Sequence, residues 1–207
     1  MANKIKYGLS NVYFALATDD GSGNLTYDTP VAWRGAVNLS LSASGDENTF
    51  YADNIPYFVT TANNGYSGTL ESALVPETFR TTILGEQVGG NGISFEQSDI
   101  LAKQFALLFQ FEGDETATRH VLYNCTASRP DVAGATKEAS ISPQTETINL
   151  TALPRESDHI TKGKIADKES EVYQNWYQAV TLPTEPQEQQ DDPEQPEDPE
   201  TNEDPQG

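Results

Sequence analysis

The stretch "LAKQFALLFQFEGDETATRHVLYNC" (residues 101–125) decides the fold class. Four apolar side chains in it recur at every second position: Phe105, Leu107, Phe109 and Phe111. This is the period of a strand that buries one face. A second strand-like run, "TRHVLYNCTA" (118–127), follows the turn-like "GDETA" (113–117), in which glycine and acidic residues favour a reversal of the chain. The stretch therefore predicts a β-hairpin whose odd-numbered face packs into a core.

The same kind of pattern recurs on both sides of this hairpin. In "GAVNLSLSA" (35–43), Val37, Leu39 and Leu41 alternate with small polar residues, as in a half-buried strand. Asn63–Asn64–Gly65 predicts a turn between two paired strands within 57–75. Segment 18–28 predicts a turn, and 44–56 predicts a polar loop. Further strands are predicted at 12–17, 93–97, 105–112, 118–127 and 145–153.

Two helices interrupt the strands. "VPETFRTTILG" (75–85) has Pro76 at the expected first helical position and Gly85 as its stop. "DKESEVYQNWYQAV" (167–180) has Asp167 as the expected N-cap. The helices do not alternate with the strands, so a parallel βαβ sheet is not indicated. The sequence predicts a mainly β protein, a β-sandwich or barrel with one or two short helices packed on it.

Composition divides the chain at Pro183. The last 24 residues, 184–207, contain ten of the 32 acidic residues, five prolines and no apolar or basic residue. Such a segment cannot bury enough apolar surface to offset its conformational entropy, so we predict a disordered acidic tail there. Residues 1–183 keep 22 acidic and 12 basic residues, a net charge of −10, and are predicted to form one folded domain.

The charge limits the classes of partner. A net charge of −20 argues against a groove that grips nucleic acid phosphates, because such grooves need clustered Lys and Arg. It also argues against binding to anionic membranes, and no run of 18 apolar residues indicates a membrane span. An acidic wall past which nucleic acid slides without adhering stays compatible with this charge.

Motifs for catalysis or metal binding are weak. His120 and Cys125 lie close together in one predicted strand, where a strand histidine and a small buried thiol are expected. "PRESDHI" (154–160) lacks a second histidine at helical spacing. "TDDGSGN" (18–24) has no glutamate at the twelfth position of a calcium loop, and "GEQVGGNG" (85–92) lacks the Lys–Ser/Thr of a phosphate loop. We predict no catalytic residue, no cofactor and no metal, and therefore no enzyme.

The predicted loop 44–56 contains two adjacent aromatic residues, Phe50 and Tyr51, followed by Asp53 and Asn54. Aromatic side chains in a loop anchor either the core or an interface. These four residues are our candidates for a contact between subunits.

Several segments together resemble the major tail proteins of long, non-contractile-tailed bacteriophages, the phi13-type family. The resemblance extends from about Lys4 to Leu182, nearly all of the predicted domain. It is carried by "KYGLSNVYFA", "GAVNLSLSASGDENTFYADNIPYF", "NNGYSGTLESALVPETFRTTILG", "KQFALLFQFEGDETATRHVLYNCTASRP", "PQTETINLTA" and "VYQNWYQAV". The acidic tail after Pro183 is a departure from the family pattern.

The resemblance implies a tail tube protein with a β-sandwich or barrel-like core. Such subunits form rings, generally hexameric, that stack into a hollow tube around a tape-measure protein. Viral DNA then crosses the lumen without specific binding, and the tube also meets a tail terminator and tail-tip or baseplate proteins. The resemblance places the protein in the virion, after synthesis in the host cytoplasm. Within such a tube, we predict that Phe50, Tyr51, Asp53 and Asn54 in the loop 44–56 form the contact between stacked rings.

Two other classes of protein remain open. A head–tail connector or tail terminator would form single rings that do not stack on themselves. A cell-surface-binding β-sandwich module would present exposed aromatic side chains with polar neighbours on one set of loops.

Overall fold

The computed structural model describes residues 5, 7–113, 116–136 and 143–184. The predicted acidic tail beyond Thr184 lies outside the described residues, as do two residues of the predicted 113–117 turn. The described strands are β1 (Leu9–Asp19), β2 (Leu25–Tyr27), β3 (Val31–Ala32), β4 (Ala36–Ala43), β5 (Glu47–Ala52), β6 (Ile55–Thr61), β7 (Tyr66–Ser72), β8 (Gln87–Val88), β9 (Ser94–Phe95), β10 (Phe105–Phe111), β11 (Arg119–Ala127), β12 (Glu146–Leu153) and β13 (Lys162–Ile165). The helices are α1 (Glu77–Phe79), which continues as a π-helix (Arg80–Leu84), and α2 (Glu171–Gln174).

Nine of these strands form one antiparallel sheet. Its order is β2-β1-β10-β11-β12-β7-β4, with β13 added to β11 and β3 added to β1. The predicted hairpin is confirmed as β10 and β11, in which Leu107 lies opposite Leu122. The predicted fold class, mainly β with two short helices, is also confirmed.

The sheet curls around its core like an incompletely closed barrel. Val12 of β1 and Leu39 of β4 come from opposite ends of the strand order, yet both pack in the same apolar cluster. The odd-numbered face of β10 lies in this cluster as predicted, with Phe105, Leu107 and Phe109 buried. The core is therefore enclosed by one curled sheet, whereas in a sandwich it would lie between two sheets.

A short helix plugs one end of this barrel. The Phe79 side chain is fully buried, and its ring lies 5.1 Å from Phe14, 5.1 Å from Phe105 and 4.5 Å from Trp33. The Trp33 Nε1 donates a hydrogen bond of 3.0 Å to the Ser72 hydroxyl. Because the indole N–H has a partner, this aromatic cluster carries no desolvation penalty at Trp33.

An ion pair fastens the plug to the sheet. Nη2 of Arg80 donates to both carboxylate oxygens of Glu146 at 2.9 Å, and Nη1 donates to Glu86 at 3.1 Å. Glu146 also accepts a 2.6 Å hydrogen bond from the backbone N–H of Val75. Hydrogen bonds between ionised groups such as these are stronger than neutral ones, so they hold the plug against β12.

The C-terminal segment covers the outer face of β1, β10 and β11. Trp176 is buried against that face, and the ring of Tyr177 stacks on Tyr13 at 4.6 Å. The guanidinium of Arg119 lies 3.8 Å above the ring of Tyr173 and donates a hydrogen bond to the Tyr173 carbonyl.

The first helix prediction is confirmed, with a start at Glu77, whereas the second is correct in place but wrong in extent. Pro76 is the N-cap rather than the first helical residue, while Gly85 ends the helix in the left-handed region, at φ 78°, as predicted. The predicted helix 167–180 reduces to α2, and its N-cap is Ser170 instead of Asp167. The backbone conformation of this segment is determined more by the packing of Tyr173, Trp176 and Tyr177 on the sheet than by helical propensity.

Two of the turn predictions are wrong in part. The segment around Asn63–Asn64–Gly65 does not join paired strands, because β6 pairs with β5, whereas β7 pairs with β4 and β12. Segment 18–28 contains β2 after its turn, with Asp19 opposite Leu25. Local turn signals show where the chain bends but not which strands then pair.

Candidate assembly surfaces

The predicted polar loop 44–56 is wrong: these residues form most of a β-hairpin. β5 and β6 pair with each other and with no other described strand. Asp53 and Asn54 form the two-residue connection, at φ 53° and 63°. Two consecutive positive φ values are those of a type I′ turn, which Asn and Asp tolerate well. Two of the four candidate contact residues therefore form the hairpin tip.

The hairpin is a continuation of the β4–β7 ribbon. The Ser44 N–H donates to Gly65 O at 2.9 Å, and the Ala62 N–H donates to Asp46 O at 2.9 Å. The six residues of β5 extend about 20 Å beyond these bridging bonds at a rise of about 3.3 Å per residue. All seven residues of β6 are exposed, so the hairpin forms an arm instead of a layer of the core.

Both faces of this arm carry apolar side chains. The register places Phe50 opposite Phe58, and Ala52 opposite Ile55, on one face. Tyr51 alternates with Phe50 and therefore lies on the other face. The exposed fractions are 60% for Phe50, 63% for Tyr51, 58% for Ile55, 72% for Tyr57, 60% for Phe58 and 49% for Val59. Exposed aromatic groups at this density are typical of an interaction surface.

The edge strand β4 is a second candidate surface. It has eight residues, "AVNLSLSA", and pairs on one side only, with β7. It contains no charged residue and no proline. A long edge of this kind pairs readily with a strand of another chain.

The other described edges of the sheet are protected. β13 has four residues, two of them lysines, and β2 and β3 have only three and two residues. β1 has a register shift near Asn11, whose φ is 49°. Lysines, short lengths and bulges each discourage pairing between chains. β4 also has a bulge, at Val37 near its start, which leaves Val37 exposed and off the core face predicted for it with Leu39 and Leu41. The rest of β4, residues 38–43, is regular and uncharged and stands out among the described edges.

Beside this edge lies a polar surface, which we call the hydroxyl face. Strands β4, β7 and β12 turn their core residues inward and their alternate residues outward. The outward residues form three rows across the strands: Asn38, Glu71 and Thr147; Ser40, Thr69 and Asn149; Ser42, Ser67 and Thr151. Eight of these nine side chains are neutral, and Glu71 accepts a 2.6 Å hydrogen bond from Thr145.

The barrel is open at the end opposite the plug. A cavity of about 230 Å³, which we call the mouth, lies there. Its apolar and aromatic lining consists of Leu39, Leu41, Tyr66, Phe109, Phe111 and Leu122, with His120 and Lys162 beside them. The Lys162 ammonium donates to the Tyr66 hydroxyl at 3.0 Å. Leu41 and Tyr66 flank the root of the hairpin, so arm and mouth lie at the same end of the barrel.

His120 and Cys125 have the structural positions that the sequence predicted. The imidazole stacks on the Phe109 ring at 5.2 Å. The thiol is fully buried, and burial raises the pKa of Cys125 to about 12. A thiol held protonated in the core is a packing group and not a nucleophile.

The acidic loops serve local structure. Oxygens of Asp19 and Asp20 accept hydrogen bonds from the backbone N–H groups of Gly21, Gly23 and Ser22 at 2.8–3.1 Å, which confirms a turn in 18–24. Asp158 pairs with the buried Arg155 at 3.5 Å. Among the described residues, no group of three or more His, Cys, Asp or Glu side chains could hold a metal ion. No described helix has the length and hydropathy to cross a bilayer.

Comparison with known proteins gives limited information. No family model matches the chain, and no curated protein matches it in sequence. Several solved structures resemble it, among them the following two. A chain of the anti-feeding prophage (AFP) baseplate has 12% identity and a TM-score of 0.42, over 81% of this chain and 99% of that one. The sheath/tube terminator of a PVC extracellular contractile injection system has 11% identity and a TM-score of 0.38, over 80% and 100%. At these TM-scores neither match supports a function.

Proposed function

We propose that this protein is a structural subunit of a phage tail tube, in which copies join into rings that stack around a lumen. The observation that carries the proposal is the unprotected edge of β4 beside the hydroxyl face. Pairing of β4 with a strand of the next copy would extend the sheet sideways and remove the exposed edge. The sequence resemblance between Lys4 and Leu182 supports the same role, and hexameric rings are the symmetry that it implies.

In this proposal the hydroxyl face lines the lumen. Protein contacts to DNA phosphates come largely from Lys and Arg, and the nine outward residues of this face include neither. DNA would meet hydroxyl and amide groups with one carboxylate per copy. Such a wall is less acidic than the one that the net charge predicted. Like that predicted wall, it has no Lys or Arg to retain DNA. The tape-measure protein would occupy the same lumen before DNA passes.

The tip of the hairpin is proposed as the contact between successive rings. Phe50, Tyr51, Asp53 and Asn54 lie at or near the end of an arm about 20 Å long. Their side chains have no role in the core of their own subunit, and an arm that leaves the body can reach another ring. The tail terminator and the tail-tip or baseplate proteins would meet the ends of the tube, and the assembly would be part of the virion.

The test is electron microscopy of the purified protein over a concentration series, with light scattering on the same samples. Hollow tubes or stacked rings with a central channel are the expected result. Single rings that never stack would favour a connector or terminator. A monomer at every concentration, even with tail-tip complexes added as initiators, would contradict the tube.

A second function is favoured by one observation. The hairpin groups exposed aromatic side chains with polar neighbours, as a cell-surface-binding module would require, since aromatic rings stack on the apolar faces of sugars. A glycan array separates the two functions. Specific glycan binding that is lost in Phe50→Ala plus Tyr51→Ala, without self-assembly of the parent, would favour the binding module.

A further inference from the structure

We propose that the Phe50–Phe58 face of the hairpin inserts into the mouth of a second copy of this chain. The inference rests on the proposed self-association, and it adds what the arm binds. In the proposed tube, this contact would join neighbouring copies within one ring. Phe50 then belongs to this side contact, while Tyr51 on the other face and Asp53 and Asn54 at the tip remain available to the next ring.

Both surfaces leave apolar side chains exposed to water within one subunit. Phe50 and Phe58 are each 60% exposed and belong to no apolar cluster of the body. In the mouth, Leu41, Tyr66 and Phe111 are only partly buried, although they pack against the main core. Covering both surfaces at once removes apolar area from water at about 25 cal/mol per Å².

The sizes of the two surfaces match. A cavity of roughly 150 Å³ holds a benzene molecule, and the mouth measures about 230 Å³. One phenylalanine ring therefore fits inside the mouth, and the ring paired with it packs across the rim. Aromatic residues that fill an apolar pocket in this way are the usual energetic centre of an interface.

The charges also match. Residues 44–61, which contain the arm, carry Asp46, Glu47 and Asp53 and no Lys or Arg. The mouth carries the exposed Lys162. Attraction between an acidic arm and a basic rim guides the two into register. An arm pairing with a second arm would bring six acidic residues together instead, which disfavours a symmetric arm-to-arm contact.

The test is a complementation between two variants. The arm variant, Phe50→Ser plus Phe58→Ser, keeps an intact mouth. The mouth variant, Leu41→Gln plus Lys162→Glu, keeps an intact arm. Each is expected to be monomeric in sedimentation velocity at concentrations where the parent associates. Mixed in equal amounts, they should form a dimer, since the arm of the mouth variant can enter the mouth of the arm variant.

Two controls keep the result interpretable. Lys103→Glu makes the same charge reversal on an exposed lysine whose backbone N–H bonds to Ile83 of the plug, at the other end of the barrel, and it should associate like the parent. Lys162→Glu alone changes an exposed side chain and avoids any folding defect from Leu41→Gln. It should weaken association about two- to fivefold.

Two results would overturn the inference: a mouth variant that associates like the parent, or a mixture of folded variants that stays monomeric. These results leave the tube proposal open, because normal tubes from the mouth variant would mean that the arm binds elsewhere. Conversely, a mixed dimer from a protein that never forms tubes would support this contact and contradict the tube.

Discussion

Two aromatic groups in this chain have opposite environments. Phe14, Trp33, Phe79 and Phe105 meet inside the plugged end of the barrel and are 0–4% exposed. Phe50, Tyr51, Tyr57 and Phe58 project on the hairpin and are 60–72% exposed. The first group packs in the core of one subunit, whereas the second belongs to neither of its apolar clusters. The proposed contacts between molecules would cover this second group.

The strongest test of this comparison is a pair of equivalent truncations. Phe79→Ala should lower the free energy of unfolding by about 3–5 kcal/mol, because it leaves a cavity among three aromatic rings. Phe58→Ala removes the same atoms from a solvent-exposed site and should change the free energy of unfolding by less than about 0.5 kcal/mol. Urea denaturation followed by fluorescence measures both. Equal losses would mean that the hairpin packs on the body in solution.

The ion pairs allow a second, smaller test at the plugged end. Glu146→Gln weakens the charge-assisted contact to Arg80 and the hydrogen bond from Val75, and should lower the free energy of unfolding by about 1–3 kcal/mol. The matched control is Glu96→Gln, whose partner Arg129 lies 3.3 Å away with both side chains nearly half exposed. That change should cost less than about 1 kcal/mol. Urea midpoints that shift equally would show that the Arg80 pair does not hold the plug.

Alkaline pH should loosen the core while leaving the arm unaffected. Burial raises the pKa of Cys125 and of Tyr123 to about 12, from ordinary values of 9.0 and 10.0, and it also raises the pKa of Tyr27 and Tyr177. The folded state therefore binds these protons more tightly than the unfolded state does. Their contribution to stability is complete below pH 9 and is lost as the pH rises toward 12.

This dependence can be measured as the urea midpoint between pH 8 and pH 11.5. The midpoint should fall above pH 9, and Cys125→Ala should reduce mainly the early part of the fall, around pH 9, because the thiol of the unfolded chain titrates before its tyrosines do. A midpoint independent of pH up to 11.5 would contradict the burial of these groups.

The smallest effect on stability should accompany a large effect on assembly. Phe50→Ala plus Tyr51→Ala should change the free energy of unfolding by less than about 0.5 kcal/mol, because both side chains are exposed. The same pair should shorten or abolish tubes. Tube lengths equal to those of the parent in electron micrographs would remove these residues from the stacking contact.

The comparison also explains how far the sequence predicted the structure. The alternation at 105–111 predicted a buried strand correctly, because period 2 records which face meets the core. In 44–56 the acidic and polar residues suggested a loop, and the apolar residues of β6 suggested a partner in β7. A hairpin exposed on both faces has no core to set its pattern, so periodicity could not identify it. The Asp53–Asn54 pair was the one local signal of its turn.

The candidate surfaces were predicted less completely than the fold. Phe50 and Tyr51 were chosen correctly as exposed aromatic residues, while Tyr57 and Phe58 were assigned to a strand and missed as exposed groups. The edge position of β4 and the mouth depend on pairing between strands far apart in the chain, which local patterns do not contain. The absence of charge from "AVNLSLSA" was visible in the sequence, but its meaning depends on knowing that this strand lies at an edge.

The most direct test of the account is whether the β4 edge joins copies. Ser40→Lys places a lysine on the edge strand, and Thr151→Lys places one on the same hydroxyl face but inside the sheet, on β12. Both variants are examined by electron microscopy under conditions in which the parent forms tubes. The pair distinguishes a loss of edge pairing from an effect of a lysine on the hydroxyl face. If the β4 edge joins copies, Ser40→Lys blocks rings and tubes while Thr151→Lys still assembles. Normal tubes from Ser40→Lys would contradict it.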